Sequence, residues 1–319
     1  MNPPSLFWKR ITLALRNLTL ALLTLLMIGA VYQASASLYD RHVYPPPGEL
    51  VDMGGYRLHL YCLGVGSPTV ILEAGLGDNV LGWELVHEKL AESTRVCAYD
   101  RAGLGWSDGQ DRVIPSQEVA QILHTLLQKA QVAGPYILVG HSMGGLHVRS
   151  YARLYPEEVV GMVLVDSSHE NQLDAAHADE IIQGILLPLQ ACQVVAPVGV
   201  IRLVRSISSQ PEQALFPAEK AHARLALQNH TYLCRVIADE YQAARTDTAQ
   251  PIPPASLSDL PLVVITAGIG HDTRWLDLQD ELVSLSAHST HIIAEASPHY
   301  VQFYQPELII EAVKEMLTP

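Results

Sequence analysis

The sequence predicts an α/β fold, one mostly parallel sheet with helices on both faces. Three observations carry that expectation. Short apolar runs alternate with stretches of helical period along the chain. One of those runs, Tyr136 to Val139, leads through Gly140-His141-Ser142-Met143-Gly144 into a helix-forming segment that Pro156 ends. The alternation is broken once, from about Glu170 to Ser256, by a long helix-friendly block. Such a block reads as an insertion between two strands.

The elements follow in order. Val51 to Met53 and Arg57 to Leu63 flank Gly54-Gly55, a hairpin signal. Thr69 to Leu72 is a strand, followed by the glycine-bearing Glu73-Ala-Gly-Leu-Gly77 and a helix over Leu81 to Glu92. Arg95 to Tyr99 is the next strand, and Ser116 caps a helix that reaches about Ala130. Tyr136 to Val139 and Val159 to Val165 are strands around the Ser142 turn. The block after Glu170 contains helical runs at Asp174 to Leu187 and Pro217 to Arg245, and strand-like periodicity only at Val194 to Val204. Leu262 to Thr266 is a strand, Trp275 to Leu285 a helix, His291 to Ile293 the eighth strand, and Pro306 opens a final helix. An insert at that point should lie over the carboxyl ends of the strands as a lid, where open α/β sheets bind ligands.

The N-terminus is a separate unit. Lys9, Arg10 and Arg16 precede the uncharged run Leu18 to Tyr32, which could continue to Leu38. That is long enough to cross a bilayer, and the basic flank would hold the N-terminus in the cytoplasm. Ala34-Ser35-Ala36 also resembles a signal-peptide cleavage site. Residues 1–38 are therefore read as an anchor or a cleaved signal, with the anchor preferred. Residues 39–50 are read as a proline-rich linker, and 51–319 as one domain outside the cytoplasm with its insert at about 170–256.

The net charge of −13 argues against a nucleic-acid partner. The four cysteines lack metal-ligand spacing. Cys62 and Cys97 lie in strand-like runs and read as buried thiols. Cys192 and Cys234 share the insert, where a disulfide would form if the chain is exported.

Gly140-x-Ser-x-Gly144 between a strand and a helix has the form of a nucleophile elbow. Glycines two residues either side of the serine let the turn close. Ser142 then projects at a helix N-terminus, where developing negative charge is favoured. A serine hydroxyl needs a base and a group that orients the base. His299 lies in the loop between the last strand and the last helix, from which it can reach Ser142. His271, His288 and His291 are less well placed, and His141 should point away from the site. Two aspartates compete to orient the base. Asp166 abuts its strand, which favours rigid placement, and Asp272 lies in the loop after Leu262 to Thr266. Asp166 is slightly preferred. Asp100 and Arg101 read as a structural turn.

From about Pro45 onward the chain resembles the α/β-hydrolase superfamily of serine hydrolases. The matching segments are Val70-Ile-Leu-Glu-Ala-Gly-Leu-Gly77, Tyr99-Asp-Arg-Ala-Gly-Leu-Gly-Trp-Ser107, Val139-Gly-His-Ser-Met-Gly-Gly145 and Ser297-Pro-His299. The resemblance implies an α/β-hydrolase fold with an eight-stranded sheet and a helical lid. It also implies an oxyanion hole formed by the N–H groups of Leu76 and Met143. Two departures stand out. Ala74-Gly75 replaces the family's His-Gly, and Pro298-His299 replaces its Gly-His. The expected activity is that of an esterase- or lipase-like hydrolase cleaving a small-molecule carboxylic ester, with no metal or cofactor implied. The alternatives are an acyltransferase, an amidase or peptidase, a C–C hydrolase, or a ligand-binding homologue without catalysis. Serine at the elbow weighs against dehalogenase and epoxide hydrolase chemistry, for which the superfamily uses aspartate there.

Overall fold

The computed structural model describes residues 6–110, 112–172, 182–208, 211–247, 253 and 256–318. Helix α1 runs from Leu6 to Val43. The sheet begins with the hairpin β1 (Glu49–Asp52) and β2 (Arg57–Leu63). There follow β3 (Thr69–Glu73), α2 (Glu84–Leu90), β4 (Val96–Tyr99), α3 (Ser116–Lys129), β5 (Tyr136–His141), α4 (Gly144–Leu154) and β6 (Val159–Val165). The insert supplies α5 (Leu187–Val195), α6 (Val200–Ile207), α7 (Ala218–Gln228) and α8 (Leu233–Asp247). The chain closes with β7 (Leu262–Ala267), α9 (Thr273–Val283), β8 (Ser289–Ala294), α10 (Val301–Tyr304) and α11 (Pro306–Leu317).

The eight strands form one sheet in the order β1-β2-β4-β3-β5-β6-β7-β8. Only the β1–β2 and β2–β4 pairs are antiparallel. The period of two along each strand divides its apolar side chains between two cores. Val70 and Leu72 enter one core with Trp83, Val86, Leu90, Ile309 and Val313. Ile71, between them, enters the other with Leu123, Leu126, Leu127 and Val148. Strands buried on both faces need apolar centres, and β3 to β7 carry their polar residues, among them Thr69, Glu73, His141 and Thr266, at or near their ends.

Several expectations are corrected. Cys62 and Cys97 are not thiols. They face each other across the antiparallel β2–β4 pair, Cα atoms 4.0 Å apart, and form a disulfide. The sequence hides this pairing because β3 lies between the two strands in the chain but not in the sheet. A second disulfide, Cys192–Cys234, joins α5 to α8. The β-branched run Val194 to Val204 is helical, spanning the end of α5 and most of α6 with a break at Gly199 (φ +76°). Residues 173–181, which include the first part of the expected helix Asp174 to Leu187, lie outside the described residues. Pro115, not Ser116, occupies the cap of α3. Helix α1 continues five residues past the expected linker start, to Val43.

The two disulfides predict a simple chemical result. Denatured protein prepared without reductant should show no alkylatable thiol among its four cysteines, and all four should react after reduction. Intact-mass measurement before and after alkylation reads this directly.

Candidate active site

The turn after β5 is tight enough to exclude side chains. Ser142 sits at φ +51°, in the left-handed region that L-residues avoid. Its N–H donates to Val165 O at 3.0 Å, and its C=O accepts from Gly145 and Ser168 N–H at 3.0 and 2.9 Å. A Cβ on Gly140 would lie 2.7 Å from Gly144 O, and one on Gly144 would lie 2.5 Å from Glu73 O. Glycine at both positions lets β5, α4 and the end of β3 meet at backbone contact.

Ser142, His299 and Asp166 form one hydrogen-bonded line. Ser142 Oγ lies 3.0 Å from His299 Nε2, and His299 Nδ1–H donates to Asp166 Oδ2 at 2.6 Å. Asp166 is fully buried, at φ +39° just beyond β6. It accepts three further hydrogen bonds: Ala267 N–H and Trp275 Nε1–H on Oδ1, each at 3.0 Å, and His271 Nε2–H on Oδ2 at 2.7 Å. Burial alone would raise its pKa, but the hydrogen bonds and positive potential of His271 and His299 hold it well below the carboxylate range. Asp166, His271 and His299 each bring a potential metal-ligand atom within 4.8 Å of the others. Both imidazoles are hydrogen-bonded to a single carboxylate oxygen, so the cluster is accounted for by hydrogen bonding.

Asp272 does not join this group. It caps α9, accepting the Trp275 N–H at 2.8 Å. His271, expected to be poorly placed, instead stacks on Trp275 at 4.8 Å between ring centroids and shares Asp166 with His299. His291 bonds Thr266 within the sheet, apart from the site. His141 does not point away. Its Nε2–H donates to His299 O at 3.0 Å, and its Nδ1 accepts from Gln302 at 3.2 Å. Burial and the neighbouring His299 push His141 down to about 3, so it supports the His299 loop as a neutral ring.

The loop bearing Leu76 lies against Ser142, since a Cβ on Gly75 would come within 3.2 Å of Ser142 Cβ. Arg101 holds this loop from beneath. Its guanidinium donates to Glu73 Oε1 (2.6 Å), Ala74 O (2.7 Å), Gly75 O (2.7 Å) and Glu240 Oε1 (2.6 Å). Glu240, from α8, also accepts the Gly77 N–H at 2.8 Å. Leu76 and Met143 pack together with Leu146 and Ala244. Arg101 thus fixes the backbone before the Leu76 N–H, and its partner Glu240 fixes the backbone after it, a role the sequence alone does not reveal. The sequence offers only an arginine two residues beyond a strand; its burial, which demands several acceptors, is seen in the fold. Asp100 does hold a turn, accepting from His59, Val80 N–H and Trp106 N–H. Arg149 is a second omission. It braces the loop after Asp166 through Ser167 Oγ, Ser168 O and Glu170.

Comparison with known proteins agrees with the fold. The family model of the alpha/beta hydrolase fold matches residues 68–306. An uncharacterized protein of Schizosaccharomyces pombe is 26% identical over 292 residues, covering 80% of this chain; the chain spans only about half (52%) of that relative's length. Among solved structures, the epoxide hydrolase CorEH superposes with a TM-score of 0.65 at 18% identity, covering 85% of this chain and 97% of its own. An esterase from Thermogutta terrifontis superposes at 0.62 with 19% identity, covering 84% and 96%. At such identities the likeness establishes the fold. With an eight-stranded, mostly parallel sheet, a serine turn between strand and helix, and a family match across most of its length, the chain belongs to the α/β hydrolases.

Proposed function

We propose that the protein is a membrane-anchored serine hydrolase that cleaves carboxylic esters. The observation that carries this reading is the line Ser142–His299–Asp166, with separations of 3.0 and 2.6 Å. His299 Nε2 takes the Ser142 proton as Oγ attacks the acyl carbonyl. Asp166 keeps the other ring proton on Nδ1 and stabilises the imidazolium that forms. The N–H groups of Leu76 and Met143 receive the oxyanion. Each such donor is worth roughly 3 kcal/mol in the transition state. His299 then protonates the leaving alcohol, and water attacks the acyl-enzyme by the reverse path. The solved structures with this fold include epoxide hydrolases and an esterase. The serine at the elbow favours acyl chemistry.

The insert acts as a lid in this reading, because α8 sits against the oxyanion loop through Glu240 and Ile237. Helix α1 acts as the anchor. It is long and apolar enough to cross a membrane or to serve as a signal sequence, with no part of its most apolar stretch buried in the protein. Its continuity through Ala34-Ser35-Ala36, and the burial of Gln33 against the insert, favour retention over cleavage.

Three outcomes are expected. Ser142→Ala should abolish hydrolysis of p-nitrophenyl esters and fluorophosphonate labelling while the thermal unfolding midpoint stays close to the parent's. Substantial residual turnover would falsify the assignment of the nucleophile.

Asp166→Asn should lower kcat by about 10⁴-fold, because the wrong His299 tautomer is then favoured. Asp272→Asn should leave kcat and stability nearly unchanged, since asparagine caps a helix about as well as aspartate. Asp166 also gives a pH signature. Its depressed pKa contributes stability that is complete above the ordinary carboxylate value of about 3.9 and is lost as pH falls through the lower folded value. The stability gap between the parent and Asp166→Asn should hold down to about pH 4 and narrow below it.

Full-length protein should sediment with membranes and resist alkaline carbonate extraction. Recovery of a shortened soluble form would convert the anchor into a signal peptide.

A further inference from the structure

The insert carries an apolar surface that none of the other described residues covers. On α6, Val200, Leu203, Val204 and Ile207 are 41%, 58%, 48% and 78% exposed. Their i, i+3, i+4, i+7 spacing places them on one face. On α5, Leu187 and Val194 are exposed as well. The polar groups of α6 turn the other way. Arg202 pairs with Asp40 at 2.7 Å and donates to Gln33 Oε1, and Arg205 donates to Gln228 O. A helix with its cations folded into the protein and its aliphatic residues outside is inverted relative to one that faces water.

The position of this face identifies its solvent. The elbow between α5 and α6 rests on α1: a Cβ on Gly29 would lie 2.4 Å from Val198 O, and one on Gly199 would lie 3.0 Å from the Tyr32 ring. Gln33 Nε2 donates to Asn229 O at 2.9 Å. Gly29, Tyr32 and Gln33 belong to the stretch Asn17 to Tyr39, which carries no charge. If α1 spans a bilayer from Arg16, about 20 residues bring it to the far boundary near Ala36. Gly29 is then about 10 Å inside that boundary, at a rise of about 1.5 Å per residue. Interfacial helices bury their apolar faces to about that depth, roughly 5–10 Å. The segments Gly184–Val198 and Val200–Ile207 are together apolar enough for a membrane and meet at 100°, the shape of an element that enters a leaflet and turns back.

Resting on the anchor reading above, we propose that the α5–α6 face lies in the lipid leaflet on the hydrolase side, beside α1, and that the enzyme takes lipophilic esters from that leaflet. The face is linked to the site. Cys192–Cys234 ties α5 to α8, and Glu240 of α8 bonds the oxyanion loop. A substrate dissolved among acyl chains meets the insert before it meets water.

The test uses full-length protein in phosphatidylcholine vesicles. Single cysteines at Val204→Cys and Ile207→Cys carry an environment-sensitive NBD label, and emission is compared with and without doxyl-phosphatidylcholine. Leu23→Cys in α1 reports the anchor. Val65→Cys, 87% exposed in the loop between β2 and β3, reports water. We expect the Val204 and Ile207 labels to be blue-shifted and quenched about as strongly as the Leu23 label, with Val65 unaffected. Quenching at Leu23 alone overturns the proposal and leaves the anchor standing. Quenching at none of the three overturns the anchor, and the proposal with it. A blue shift without lipid quenching indicates a protein on the face and also overturns it. In a second measurement, Leu203→Glu with Val204→Glu should slow turnover of a long-chain ester held in vesicles by at least about tenfold, since each of the two lost aliphatic burials is worth about that factor or more. Turnover of a soluble short-chain ester should not change. Equal rates on the vesicle ester for variant and parent overturn the substrate assignment, whereas a parent inactive on both esters would instead refute the hydrolase reading.

Discussion

A carboxylate shut away from water must find its hydrogen-bond donors inside the protein, and Asp166 finds four. They come from separate parts of the chain: the end of β7, the loop after it, the first turn of α9, and the loop after β8. Losing one donor from a buried, charged acceptor costs on the order of 1–3 kcal/mol. The loops bearing His271 and His299 are therefore held against β6 by the same group that orients the His299 ring. Much of the geometry around Ser142 follows. The His299 loop is fixed from one side by Asp166 and from the other by neutral His141.

The opposite wall rests on a second buried charge. Arg101 donates to two carbonyls of the loop bearing Leu76, the proposed oxyanion loop, and to two carboxylates, Glu73 and Glu240. Glu73 comes from the sheet and Glu240 from the insert, so one guanidinium ties the core, the oxyanion loop and α8 together. A buried cation with fewer acceptors would be destabilising. Here two carboxylates and two backbone carbonyls of the loop bearing Leu76 supply the acceptors. The insert is consequently tied, through Glu240, to the loop that follows β3.

The sheet was legible because its strands are short, apolar and bounded by turn residues, and because the Ser142 turn requires glycine at Gly140 and Gly144. His299 was legible from its position in the last loop. What escaped depends on strand order and on long-range charge pairing. Cys62 and Cys97 read as separate strand residues until β2 and β4 become neighbours. Arg101 and Arg149 look like loop arginines until their acceptors converge from distant segments. The choice between Asp166 and Asp272 turned on loop paths that local sequence does not encode. Asp272 has a purely local explanation as the cap of α9, and only the folded loop brings His299 to Asp166. The valine-rich α5–α6 run was misleading for a different reason. β-branched residues favour strands where they pack between neighbours, and here they point outward from a helix instead.

That last case connects the two ends of the molecule. Outward-facing aliphatic residues are a liability on a water-exposed helix and an asset on one that meets lipid. Gly29 and Gln33 of α1 both meet the insert. Gly29 permits backbone contact with Val198, and Gln33 satisfies its polar head on Asn229, Ser37 and Arg202. Helix α1 is thus shaped to pack against the insert as well as to present a long apolar surface. The insert in turn holds the oxyanion loop through Glu240. One connected run of contacts joins the N-terminal helix to the loop bearing Leu76, from Gly29 through the Cys192–Cys234 link to Arg101.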